Sequence, residues 1–371
     1  MPVAMVMAVA AGAGLYHWFS SAAPPGMVEQ ASSTSPPTLS PLASPPLAPL
    51  LAPPLAAPLA PPLAQAGAAT IALVQSAPPA IAVSPPEPVI SPPKPREFQI
   101  ETGDEARILE NTATGRTVFR LSGNPGILVL DFTSLRDQGL MLNRVAAFVE
   151  KSGAPRDRIL TDAELDVIVR RGGETVETFY YGHDYGAASL ARFFSLADRD
   201  NIRLLESEET LRRLLQQEGW FDPKARGGLL SIPQITGDER IGKANRAVIL
   251  RHELSHGEYF ANPGYAAFVR HFWRNMLTGA ERDRIRRYLR SQGYDATIDE
   301  LMENEAQAYL MFTYSPDFFA PGMIGMSRAR LNEIRAAFFR TMPGGWLRDG
   351  LGQYLAENKP SSPIKPAAAR P

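Results

Sequence analysis

Residues 246–262 read RAVILRHELSHGEYFAN and carry His252, Glu253 and His256 in the order H-E-x-x-H. On a helix, positions i and i+4 lie one turn apart on the same face, so the two imidazoles can offer nitrogens to one cation. Val248, Ile249, His252 and His256 share a stripe that continues to Tyr259 and Phe260, which predicts that the imidazoles point into the protein. Buried imidazoles one turn apart are costly unless something satisfies their nitrogens, and a metal ion does so. Neutral imidazoles are good zinc ligands, and Glu253 beside them is placed to take a proton from a water that the cation acidifies.

A catalytic zinc site takes a third protein ligand and keeps its fourth position for water. The pattern H-E-x-x-H-x-x-G-x-x-H is excluded, because Tyr259 and Asn262 stand where it needs Gly and His. The chain has no cysteine, so a carboxylate from another segment is the remaining choice. Residues 297–312, TIDELMENEAQAYLMF, open with Thr297 and Glu300 as a capping box and read as one helix. Its apolar stripe is Leu301, Met302, Ala308, Tyr309 and Phe312. Glu305 falls inside that stripe, whereas Glu303 falls on the polar side with Glu300 and Gln307. A carboxylate on a buried face needs a cation.

With Asn304, Glu305 and Ala308 following His252, Glu253 and His256, the chain resembles the gluzincin class of zinc metallopeptidases, in which H-E-x-x-H is followed on a later helix by N-E-x-x-A or N-E-x-x-S. The resemblance covers two short segments. It implies that His252, His256 and Glu305 are zinc ligands and Glu253 the general base. Some members carry an aspartate four residues after the ligand glutamate, bonded to the first histidine; Tyr309 stands there, which leaves the partner of His252 unassigned. Tyr309, Tyr314 and Tyr265 are the tyrosines considered for stabilising an oxyanion.

Outward from this centre, composition divides the 371 residues unevenly: 21 of the 34 prolines fall between positions 24 and 95, and no Lys or Arg precedes Lys94. Residues 1–21 are apolar and are expected to be a signal anchor or signal peptide, which places the chain in a cell envelope, membrane-anchored or periplasmic. Residues 22–97 repeat Pro, Leu, Ala and Ser and are expected to be a semi-stiff spacer reaching up to about 200 Å. The domain proper is expected over 98–357, with a short disordered tail over 358–371. A net charge of −1 gives no reason to invoke nucleic acid.

Within the domain, 116–121 and 126–132 read as strands, and 140–151, the Thr161-capped stretch to 171, 186–198 and 207–218 as helices. Residues 178–186, TFYYGHDYG, with His183 beside Asp184 and three tyrosines, could line a substrate cleft but read first as a packed loop between helices, and 227–234, GGLLSIPQ, reads as an edge strand ending at Pro233, whose free edge could pair with a peptide. Gly257 is expected to loosen the central helix. Asn262 and Pro263 start the next helix, Thr278 and Glu281 cap an arginine-rich one, and Ser327 starts another. His271 lies between Arg270 and Arg274 and reads as solvated. The expected fold is therefore α+β and mainly helical, with zincin-like active-site helices after a small mixed α/β part. The expected function is zinc-dependent hydrolysis of a peptide or protein substrate. The alternatives are a zinc hydrolase of a non-peptide amide or envelope polymer, and a non-catalytic envelope scaffold with a vestigial motif.

Overall fold

The computed structural model describes residues 97–235 and 241–357, all within one compact unit. The expectations for 1–21, for 22–96 and for 358–371 lie outside the described residues. Among the described residues, no helix is long and apolar enough to cross a membrane.

Five strands, β1 Glu101–Gly103, β2 Thr117–Leu121, β3 Ile127–Phe132, β4 His183–Gly186 and β5 Gly228–Pro233, form one sheet in the order β1-β2-β3-β5-β4. Neighbours run parallel between β1 and β2 and between β3 and β5, and antiparallel elsewhere. The helices are α1 Glu105–Leu109, α2 Leu135–Val149, α3 Asp162–Arg171, α4 Ala187–Arg199, α5 Glu206–Gln217, α6 Lys243–Ala261, α7 Pro263–Asn275, α8 Gly279–Ser291, α9 Asp299–Gln307, α10 Arg328–Thr341 and α11 Trp346–Glu357. The protein is thus α+β and mainly helical.

Strand alternation divides the core between the two sheet faces. Phe119, Leu121, Ile127, Val129, Leu230 and Ile232 pack with Ile249, Leu250 and Leu254 of α6. Val118, Leu128, Leu130, Phe132 and Leu229 pack with α2, α4 and α5, in a core that continues into α7 to α10. Each of these side chains, once buried, contributes about 1.5–3 kcal/mol. The expected helix starts hold where a side chain answers a backbone N–H. Thr161 with Glu164 and Thr278 with Glu281 form capping boxes, Asn262 accepts from Gly264 and Tyr265, and Ser327 accepts from Arg330.

Several expectations fail, each for a physical reason. Gly257 does not loosen α6, which runs through it to Ala261. It is a close-approach glycine instead: a β-carbon on Gly228 would lie 2.8 Å from the Gly257 Cα, and one on Gly257 would meet Ile127 and Leu230 at 3.0–3.1 Å. Helix and sheet touch there backbone to backbone. β5 is an interior strand and not an edge; β3 and β4 flank it, and Pro233 is tolerated because β4 pairs only over 228–231. The stretch 178–186 is not simply a loop, since its second half is the edge strand β4. The helix expected over 140–151 begins earlier, at Leu135 with Ser134 as N-cap, and ends at Val149, with Glu150 as its C-cap.

Arg246 locks the start of α6 to the sheet. Its guanidinium gives both Nη groups to Asp131 on β3 at 2.8 Å and also bonds the Pro233 and Ile108 carbonyls. Asn111 donates to the same Asp131 carboxylate at 2.7 Å. Arg246 and Asp131 are both buried. Glu258 does the same for the far end, accepting from Asn124, Asn262 and Trp346 at 2.7 Å each. Breaking one member of a buried pair strands the other, so Asp131→Ala is expected to cost about 3–5 kcal/mol, read as a fall in the urea midpoint. A midpoint equal to that of the parent would mean that α6 is held by packing alone.

Candidate metal centre

Helix α6 sets His252 and His256 one turn apart, and their Nε2 atoms face each other at 3.2 Å. Helix α9 crosses α6 and brings in Glu305, whose Oε2 lies 3.9 Å from His252 Nε2 and whose Oε1 lies 3.8 Å from His256 Nε2. All three side chains have no exposed surface. A tetrahedral zinc with bonds of about 2.1 Å separates its donors by roughly 3.4 Å. The three atoms stand close to that spacing.

The protonation states also suit a cation. Burial lowers the basicity of both imidazoles, His252 well below its ordinary value and further by His256, and His256 to about 4. Both are therefore neutral at pH 7, the state in which an imidazole can serve as a ligand. Thr313 fixes the tautomer of His252. Its hydroxyl donates to the Ala308 carbonyl at 3.0 Å, so its oxygen accepts from His252 Nδ1–H at 2.9 Å and the Nε2 lone pair is left facing Glu305. Burial raises the Glu305 carboxyl well above its ordinary value, the charge of Glu150 adds to this, and the Tyr294 hydroxyl works against it. Neither Glu305 oxygen completes a hydrogen bond of normal geometry. Buried polar atoms left so are costly, and a divalent ion between the two imidazoles and this carboxylate removes the cost. The residues present fit a metal ion.

Glu253 stands beside this triangle with both oxygens unpartnered and no exposed surface. Burial raises its carboxyl well above the usual range, and the charges of Glu305 and Glu150 raise it further. Gly182 makes the space for it, because a β-carbon there would fall 2.1 Å from Glu253 Oε1. Asp184, from the edge strand β4, places Oδ1 3.6 Å from His256 Nδ1. Asp184, Glu253 and His256 also converge as a group of possible ligands.

The structure thus brings together all four residues named from the sequence, His252, Glu253, His256 and Glu305. It corrects their surroundings. The capping box of Thr297 and Glu300 does not form: Ile298 is the N-cap of α9, and Thr297 bonds Asp295 instead. The α-helix ends at Gln307 and gives way to a π-helical turn, Ala308–Phe312. Glu303 and Gln307 are buried rather than solvated. Glu303 takes Arg274, while Gln307 donates to Ser255 Oγ and accepts from the Tyr265 hydroxyl, both at 2.9 Å. Of the tyrosines considered for an oxyanion, Tyr265 is therefore engaged, Tyr314 packs on Tyr354 and Arg335, and Tyr309 lies edge-on to the His252 ring. His271 is exposed, as expected.

Sequence reasoning missed Asp184, Gly182 and Thr313. The aromatic run 178–186 was the one signal for the first two, and the isolated Thr313 gave none. Thr313→Val keeps the shape and removes the acceptor, so zinc affinity is expected to fall about 10–100-fold in competition with a chromogenic chelator. Equal affinity would remove Thr313 from any part in orienting His252. No family model, curated protein or solved structure matches this chain.

Proposed function

We propose that this chain is a zinc-dependent hydrolase of the gluzincin type that cleaves peptide bonds. The observation that carries the reading is the convergence of His252 Nε2, His256 Nε2 and Glu305 on one point, with the unpartnered Glu253 carboxylate beside it. Zinc held by those three residues would supply Lewis acidity and acidify a water molecule. Glu253 accepts one proton from the attacking water as the carbon–oxygen bond forms. It returns that proton to the leaving nitrogen as the carbon–nitrogen bond breaks. Burial suits Glu253 to this exchange, because it raises the carboxylate's affinity for the proton that it must take and then give back. Thr313 and Ser255 act behind the histidines. Thr313 orients the His252 ring, and the Ser255 hydroxyl, held by Gln307, donates to the His252 carbonyl.

The apolar 1–21 and the proline-rich 22–97 support a membrane-tethered or periplasmic enzyme of a cell envelope, acting on peptide or protein substrates. One observation favours the second reading, hydrolysis of a non-peptide amide such as an envelope polymer cross-link. β4 is buried along its whole length, and the four central side chains have no exposed surface, so among the described residues no strand edge lies open beside them for a peptide to pair with.

Elemental mass spectrometry on the full chain tests the metal. About one zinc or more per chain is expected, reduced in His252→Ala and in Glu305→Ala. Glu253→Gln is expected to keep its metal and lose turnover by about 10²–10⁴-fold on a peptide library or on the envelope polymer, whichever the parent cleaves. A well-folded parent that takes up no zinc would overturn the hydrolase and leave a non-catalytic scaffold.

A further inference from the structure

Four buried carboxyl groups crowd this centre: Glu305, Glu253, Asp184 and Glu150, the last at the C-terminal end of α2. One divalent ion held by His252, His256 and Glu305 would balance the charge of two carboxylates out of these four. The charges of Lys151 and Arg156 reach Glu150, but both side chains make their hydrogen bonds elsewhere. Lys151 sits 3.4 Å from Glu174 with its ammonium over the Phe179 ring. Arg156 gives its Nη groups to the Ala147, Phe148 and Lys151 carbonyls and to Asp295.

The oxygens of Glu150, Asp184 and Glu305 lie within 4.8 Å of one another, a second convergence that shares Glu305 with the first. A further observation points to an ion there: Glu305 has no exposed surface, and neither of its oxygens makes a hydrogen bond of normal geometry.

We propose that the centre is dinuclear, with Glu150, Asp184 and Glu305 holding a second divalent cation beside the zinc and Glu305 bridging the two. This rests on the zinc reading given above, since the shared carboxylate links the two sites. All protein donors of the second site are carboxylate oxygens, a set that suits a hard ion such as Mn²⁺ as well as zinc. Two divalent ions balance four carboxylates, and neither imidazole needs to be charged.

The test is metal stoichiometry on the full-length protein, dialysed against Zn²⁺ and then against buffer, with Glu150→Gln and Asp184→Asn beside it. Two equivalents are expected in the parent and one in Glu150→Gln. Because either variant could fail to fold, the unmutated protein is also loaded with Mn²⁺ and its electron paramagnetic resonance recorded. A spin-coupled pair, with hyperfine lines at half the spacing of an isolated ion, is the expected signature. A single equivalent in the parent that is lost in His252→Ala, together with an uncoupled Mn²⁺ spectrum, would overturn the second site while leaving the first. No bound metal at all would overturn both.

Discussion

Helix α6 is buried on nearly all sides, and that burial forces each of its polar side chains to find a partner. Arg246, His252, Glu253, Ser255, His256 and Glu258 are all withdrawn from water. A buried charge without a partner costs several kcal/mol, comparable with the whole margin by which a domain of this size is stable. The rest of the chain is arranged to answer these groups in turn. Asp131 on β3 takes Arg246, Asn124 and Trp346 take Glu258, and Gln307 takes Ser255. The imidazoles and Glu253 are what remains, and around them the answer is other acids and not a base. Here, where both Glu253 oxygens, both Glu305 oxygens and His256 Nδ1 are buried without a partner, the unanswered groups are concentrated on lone pairs that could hold a cation.

What could be read from the residues was local. Capping boxes at Thr161 and Thr278, the Asn262–Pro263 start, the apolar run of β3 and the shared face of His252 and His256 all depend on neighbours within a turn or two. What could not be read depends on distant partners. Nothing near Arg246 announces Asp131, 115 positions away, and nothing near Gly257 announces the backbone of Gly228. Gln307 looked solvated because its polar amide was weighed without the Ser255 and Tyr265 hydroxyls that make its burial affordable. Asp184 was lost for a related reason: one aspartate in an aromatic stretch carries no sign of which sheet edge it will stand on.

Strand order explains why the acids gather. β4 lies at the sheet edge but pairs with β5, whose glycine allows α6 to approach closely, so a side chain on β4 stands directly beside the helix's histidines. Had β5 been the edge strand, Asp184 would have no neighbour on α6 to face. The same closeness leaves the centre without exposed surface. On the proposed hydrolase reading, a substrate would have to part the packing above the centre, and opening of the structure would be a step of turnover in its own right.

The π-helical turn Ala308–Phe312 carries a consequence for how chains of this plan are compared. Its five residues cover roughly the arc that four would cover in an α-helix, so an additional residue is absorbed without changing the direction in which the chain leaves. Thr313 reaches back to the Ala308 carbonyl across five positions where an unbroken α-helix would use four. A chain one residue shorter could therefore present the same hydroxyl to the same imidazole from an ordinary helix. Alignment by residue type alone would pair that hydroxyl with Phe312, and a one-residue gap just after the Asn-Glu pair is where such kinship would be hidden.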